Sequence, residues 1–172
     1  MKPLLALLAL ATTPQPPAAP CLTGAQAQAV ALVALPEIIR ETGTVCAARL
    51  PATALVRQTR GPLLARYDAE ADRAWPTVQD AIVRLTNPAA GVLLQSDYAR
   101  PLLVTLVVPQ LVGRIEPADC ATVERMVTLL APLPPRNIAG LVVTALAHLK
   151  AEKARGRAVD VPDLPLCPDA GR

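Results

Sequence analysis

The chain has 172 residues, of which 52% are hydrophobic, which suits one domain with a sizeable core and leaves little room for a second. Only 2% of the residues are aromatic and phenylalanine is absent, so leucine, valine, isoleucine and alanine must fill that core. The formal net charge is +3 and the charges are dispersed, which argues against the concentrated basic face of a nucleic-acid-binding protein. No segment of useful length alternates polar and apolar residues as a half-buried strand does, and the sequence therefore predicts an all-α fold.

Residues 1–20 are typical of a secretory signal followed by a proline-rich leader. Lys2 supplies the positive charge that precedes an apolar run over residues 4–11. We expect cleavage between residues 11 and 20, which keeps every cysteine in the mature chain; a later cut, after residue 27, fits the same small-residue rule but would remove Cys21. Lipid attachment to Cys21 is less favoured, because Pro20 stands where lipoprotein signals carry a small residue. The sequence therefore predicts an exported protein, either periplasmic or secreted.

Two helices are predicted after the leader. The first follows Thr23, a favourable N-cap, and runs to about Thr42, where Gly43 ends it. Pro36 should bend or divide this helix, because a proline ring removes one backbone hydrogen bond. A short second helix is predicted over residues 51–60.

A third and longer helix is predicted over residues 62–86, kinked or split at Pro76. Its apolar stripe carries two of the few aromatic residues about two helical turns apart, each with an arginine close enough to stack on it. Since tryptophan, tyrosine and arginine are favoured anchors of protein interfaces, this group is a candidate interaction face. The alternative is ordinary core packing. The four residues of this face are Tyr67, Trp75, Arg66 and Arg73.

The most apolar stretch of the mature chain is residues 101–115, PLLVTLVVPQLVGRI. A helix with hardly any polar side needs apolar partners nearly all round, so we expect it to be the central, buried helix of the bundle. A membrane span takes about 20 apolar residues, and this run is interrupted too early for that.

A candidate ligand site lies within the same stretch. Pro109 would free the carbonyl of Thr105 from its helical hydrogen bond, and Gln110 adjoins the kink. A few polar groups in an apolar cleft are the usual form of a small-molecule pocket. The alternative is that Pro109 merely curves the helix around its neighbours.

Two further helices complete the predicted bundle. One begins at Pro117 and extends to about Leu130, and a stiff connector follows over residues 131–135. The last is capped by Asn137 and ends near Gly156. Residues 157–172 are rich in proline and are predicted to be an irregular tail tied down by its cysteine.

Four cysteines in an exported chain predict two disulfides. Their long, irregular spacing does not fit a zinc site, and neither a metal nor another cofactor is expected. A helix of about 20 residues is about 30 Å long, so the two cysteines that flank the first helix should not meet, which leaves two possible connectivities. We favour Cys21 with Cys167, which joins the ends of the domain, and Cys46 with Cys120.

Catalytic side chains are scarce. The chain has one histidine, His148, expected on the surface near the end of the last helix, and one serine, Ser96, expected to act as a cap. A catalytic triad is therefore not expected, and no residue is assigned a catalytic role. Glu116 and Asp119 form the remaining candidate pair, with stabilisation of a helix N-terminus as the alternative.

The sequence thus predicts a single domain over residues 21–156, a bundle of about five or six helices, several of them kinked by proline, stapled by two disulfides. The favoured hypothesis is an exported, non-enzymatic binding module whose partner is a protein or an apolar small molecule. One alternative is a periplasmic hydrolase that uses Glu116 and Asp119. Another is a membrane-peripheral protein held by the basic end of the last helix. That end consists of Lys150, Lys153, Arg155 and Arg157.

Overall fold

The computed structural model describes residues 20–112 and 115–168, and within those ranges it contains six α-helices and no β-strand. The helices are α1 (Gly24–Val45), α2 (Pro62–Leu85), α3 (Ala90–Leu94), α4 (Ala99–Val112), α5 (Cys120–Leu130) and α6 (Pro135–Ala154). A 3-10 helix, Leu55–Arg57, lies between α1 and α2. The predicted all-α fold is confirmed. Residues 1–19, which carry the predicted signal segment, lie outside the described part of the chain.

The centre of the bundle is α1, which packs against α2, α4, α6 and the 3-10 helix. Each of the four apolar clusters of the described core contains a buried residue of α1. Several of the buried positions are alanines, and the distance between helix axes depends on the side chains at the contact. Short side chains on α1 therefore let neighbours approach it from several directions. One buried α1 residue from each cluster is Val33, Ile39, Ala27 and Ala34.

The prediction that residues 101–115 form the central, buried helix is wrong. These residues contribute most of α4, in which Leu102 and Leu106 expose 62% and 61% of their surface. Among the described side chains of α4, Val108 and Val112 are buried and pack with Ala34 of α1. An apolar composition on every side does not decide which helix becomes surrounded, because that depends on how many neighbours can reach it. No helix in the described ranges combines the length and the hydropathy that a membrane span requires.

The prolines inside the helices do not divide them. Pro36, Pro76 and Pro109 lie within the continuous helices α1, α2 and α4. Pro62 and Pro135 instead begin α2 and α6, at a position where the missing N–H has no helical partner to lose. The last helix therefore begins at Pro135, two residues before the predicted cap.

The start of α1 follows the sequence prediction and its end does not. Thr23 forms a capping box, in which its hydroxyl accepts from the Gln26 N–H at 3.4 Å and its own N–H donates to the Gln26 side chain at 3.0 Å. At the other end the helix continues through Gly43 to Val45. A Cβ atom at position 43 would lie 2.2 Å from the carbonyl oxygen of Val56, so this glycine permits a close crossing by the 3-10 helix. Gly43 is a packing residue and not a helix terminator.

The segment predicted as a short second helix forms turns and the 3-10 helix instead. The carboxylate of Glu124, on α5, accepts backbone hydrogen bonds from Leu55 at 2.7 Å and Val56 at 3.2 Å. These bonds satisfy N–H groups at the start of the 3-10 helix that have no partner within it. A side chain almost 70 residues away in sequence thus fixes the local conformation.

Both disulfides have the favoured connectivity, and that prediction is confirmed. Cys21 is bonded to Cys167 and Cys46 to Cys120, with Cα atoms 5.0 and 5.5 Å apart. The first of these bonds fastens residues 160–168, which we call the strap, beside the start of α1. Backbone hydrogen bonds also join the strap to Leu22, which lies just before α1. The Leu22 N–H donates to the carbonyl of Pro165 at 2.6 Å, and the Leu22 carbonyl accepts from the Cys167 N–H at 2.9 Å.

We predict that replacing Gly43 by alanine destabilises the protein although alanine is the better helix former. The gain in helix propensity is about 1 kcal/mol, whereas forcing a methyl group against the Val56 backbone should cost about 1–3 kcal/mol or more. Gly140→Ala is the matched control, because its Cβ would meet only the Gln28 side chain, at 3.4 Å. Urea unfolding should give a lower free energy of unfolding for Gly43→Ala and an equal or higher one for Gly140→Ala. Equal stabilisation by both substitutions would contradict the close crossing.

Candidate functional site

A cavity of about 270 Å³ lies between α1, α6 and the strap. Its longest wall is one stripe of α1, because residues spaced by three and four positions share a helix face. All six side chains of that stripe are aliphatic, and three of them are alanines. The stripe consists of Ala27, Val30, Ala31, Ala34, Leu35 and Ile38.

The other walls are also aliphatic. From α6 the cavity receives Val142, Val143 and Leu146. The strap closes it with Leu164 and Leu166, together with Pro162. The remaining contributors are Leu22 and Val107, together with the single charged residue Asp163. The Asp163 side chain is fully exposed, so its carboxylate faces water.

The void follows from the composition of the chain. Alanine side chains at positions 27, 31 and 34 leave space between α1 and its neighbours. A phenylalanine or tryptophan would fill such a space, but the chain has no phenylalanine, and its one tryptophan packs in another cluster. The volume exceeds the roughly 150 Å³ of an engineered cavity that binds benzene and lies just below the range of about 300 to 1,000 Å³ for ligand pockets.

The edge of the cavity at the strap carries an ion pair. Lys150 donates a hydrogen bond to the carbonyl oxygen of Leu164, and its Nζ atom lies 3.9 Å from the Asp163 carboxylate. The nearby cations Arg155 and Arg157 are held by Glu152, each at 2.7 Å. The ammonium of Lys150 is thus the cation bonded directly to a residue of the cavity wall.

The predicted ligand residues belong to a different space, a cleft of about 710 Å³ between α1 and α4. Thr105 and Pro109 line this cleft, and the side chain of Gln110 lies outside the described part of the chain. Thr105 is exposed, and its hydroxyl donates to the carbonyl of Pro101 at 2.8 Å.

Charged side chains lie on the rim of this cleft beside the apolar ones. Arg40, on its rim, bonds both oxygens of Asp68 at 2.8 Å and one oxygen of Glu37 at 3.2 Å. Arg100, on the opposite rim, is paired with Asp72. The rim of this cleft therefore carries solvated ion pairs beside apolar side chains of α1 and α4, and the more uniformly apolar cavity lies on another face of α1.

The four residues of the predicted interaction face do not form a common exposed surface. Tyr67 exposes only 5% of its surface and packs in the core with Ile138, while Trp75 is half-buried against a separate cluster. Arg66 donates to the carbonyl of Ala131 at 2.6 Å, and Arg73 pairs with Glu70. Core packing, the alternative considered for the aromatic rings, describes their positions.

Large apolar side chains are exposed elsewhere, on α3, on α4 and in the turn between them. Tyr98 exposes 83% of its surface, and Leu102 lies one helical turn beyond it. Val92 and Leu93 are also largely exposed. Sequence reasoning missed this surface because it placed Leu102 inside the bundle and gave the other three residues no role.

The candidate catalytic residues are dispersed over the surface. Glu116 and Asp119 are both exposed, and Asp119 accepts a hydrogen bond from the Glu116 N–H at 3.0 Å, as in a local turn. Neither lines either cavity described above. His148 is exposed, and the Ser96 hydroxyl donates to the carbonyl of Leu93 at 2.8 Å. Among the described residues, no three His, Cys, Asp or Glu side chains gather as a metal site would require.

Comparison of the chain with known proteins finds no match to a protein family, to a curated protein or to a solved structure. The geometry of the cavity therefore carries the functional inference.

Burial of Tyr67 gives a pH-dependent prediction. Burial raises the pKa of Tyr67 above its ordinary value of 10.0, with a smaller opposing effect of Arg66. Because the folded state favours the neutral phenol, ionisation should cost stability as the pH rises above 10. Tyr98→Phe leaves Tyr67 as the single tyrosine, and its tyrosinate absorbance should appear above pH 10, together with or after the onset of unfolding. A midpoint at or below 10 in the folded variant would show that the ring is not buried.

Proposed function

We propose that the protein is an exported, non-enzymatic module that binds an apolar small molecule in the cavity between α1, α6 and the strap. The observation that carries this proposal is an aliphatic lining on all sides, in which the single charged residue, Asp163, directs its carboxylate to water. Transfer of apolar surface from water into such a space contributes about 25 cal/mol for each Å² that is buried.

Export is supported by two independent features. The first residues of the sequence have the charged and apolar regions of a secretory signal. The two disulfides suit an oxidising compartment, since such bonds are rare in the cytosol.

Binding without catalysis is supported by the cavity lining, which offers no nucleophile and no base directed inward. The carboxylates of the hydrolase hypothesis, Glu116 and Asp119, are exposed and lie away from the cavity. For the membrane hypothesis, two of the four basic side chains are already paired with the Glu152 carboxylate, which offsets one of their two charges. We therefore propose neither alternative.

We predict that the protein takes up neutral apolar probes into this cavity. Titration with decanol, a linear probe, and with adamantanol, a compact one, can be followed by NMR of assigned methyl groups. The methyl signals of Val142, Leu146 and Leu164 should shift with at least one probe, while those of Leu141, which is exposed on α6, should not.

Filling the cavity should abolish this response. Leu146→Trp places a large ring in the space and should weaken binding by about tenfold or more, which corresponds to about 1.4 kcal/mol. Leu141→Trp makes the same change on the exposed side of α6 and should leave binding unaltered. Absence of shifts with both probes, or equal weakening by the two folded variants, would contradict the proposed function.

A further inference from the structure

The wall that α1 contributes is long in relation to the volume of the cavity. Its α1 wall extends from Ala27 to Ile38, three turns of helix, which corresponds to a length of about 16 Å at 1.5 Å per residue. A compact space of roughly 150 Å³ already holds one benzene ring. A volume of about 270 Å³ beside a wall of three helical turns is therefore enough for one chain laid along α1 and for little more.

The shape and the lining favour a flexible aliphatic chain over a compact ring system. An extended alkyl chain with C–C bonds of about 1.5 Å advances roughly 1.3 Å for each carbon, so the cavity accommodates a chain of about twelve carbons. The side chains of the α1 stripe are all aliphatic, so the middle of the ligand needs no hydroxyl or amide group to pair with them.

The ammonium group of Lys150, at the edge of the cavity, favours one kind of ligand head group over others. Lys150 lies one helical turn beyond Leu146 on α6, and its Nζ atom is bonded to the carbonyl of Leu164 in the strap. An ammonium group has three donors, and the Asp163 carboxylate, at 3.9 Å, is beyond hydrogen-bond distance. A ligand carboxylate at this end of the cavity can accept a hydrogen bond from Lys150, and it competes there with the exposed ion pair to Asp163, a type of pair that contributes little to stability.

We infer that the ligand of this cavity is a single unbranched aliphatic chain of medium length with a carboxylate at the strap end. This inference rests on the proposed function, because it names the chemical class that the apolar cavity accepts. The hydrocarbon lies along α1 between Ala27 and Ile38, and the carboxylate meets the ammonium of Lys150.

Chain length is tested first. Straight-chain carboxylates from octanoate to hexadecanoate are titrated into the protein below their micellar concentrations and followed by the methyl signals of Val142 and Leu164. Affinity should rise by about threefold to fourfold for each added CH₂ group until the cavity is full, near dodecanoate, and then level off or fall. Adamantane carboxylate carries the same charge on a compact body and should bind more weakly than dodecanoate.

The head group is tested with ligands of one chain length. Dodecanoate should bind about threefold to fivefold more tightly than dodecanol, a range expected of a partly exposed ion pair, and more tightly than dodecyltrimethylammonium. Lys150→Met should remove the preference for the carboxylate and keep the chain-length optimum. Lys153→Met, an exposed lysine on the same helix, should change neither. The Leu164 methyl signal of each ligand-free variant shows whether the strap has kept its place.

The outcomes separate the inference from the proposed function. Binding of adamantane carboxylate as tightly as dodecanoate, or an affinity independent of chain length, would contradict the inference of an unbranched aliphatic ligand and leave the proposed apolar site intact. Binding of dodecyltrimethylammonium as tightly as dodecanoate, or more tightly, would contradict the inference of a carboxylate head group. Failure of every probe, including decanol and adamantanol, would overturn both the inference and the proposed function.

Discussion

The structure depends on the close packing of several elements around α1. Its small side chains allow α2, α4, α6 and the 3-10 helix to contact the same helix, and its two ends are the attachment points of both disulfides. Cys21 lies just before its first residue and Cys46 just after its last. One bond brings the strap to the start of α1, and the other brings the start of α5 to its end. In the chain-entropy account, a bridge between cysteines this far apart in the sequence stabilises the folded state by about 4 to 5 kcal/mol, because it lowers the conformational entropy of the unfolded chain.

The same small side chains account for the candidate site. On the faces of α1 that meet α2, larger aliphatic and aromatic residues of the partner complete the packing. On the face that meets α6 and the strap, alanine lies opposite valine and leucine, and no aromatic ring is available to fill the space. The strap lines this gap with aliphatic side chains, and its backbone pairing with Leu22 and its disulfide hold it in place. The composition of the chain, with small side chains on α1 and few aromatic rings, thus explains why packing is dense on one side of α1 and open on the other.

Local patterns in the sequence predicted a large part of the fold. The Thr23 cap and the apolar spacing of α2 were sufficient to predict α1 and α2, and the distance that a helix places between Cys21 and Cys46 reduced the possible disulfide connectivities to two. Features that depend on distant contacts could not be predicted in this way. The role of Gly43 is set by Val56, and the 3-10 helix is held by Glu124.

The candidate site illustrates the same limit. Sequence reasoning selected α4 because it is the most apolar stretch, but hydropathy does not tell how many neighbours a helix acquires. The alanines of α1 are individually uninformative in the sequence, and they outline a cavity only when α6 and the strap are placed opposite them. Repeated alanine at helical spacing, in a chain without phenylalanine, is the signal that could have pointed to this face.

A crystal structure determined under xenon pressure tests the existence of the cavity most directly, because xenon enters apolar spaces that contain no ordered water. We expect xenon between Ala31 of α1 and Leu146 of α6, beneath the strap. Side chains filling that space, with no xenon bound there, would contradict the cavity on which the proposed function depends.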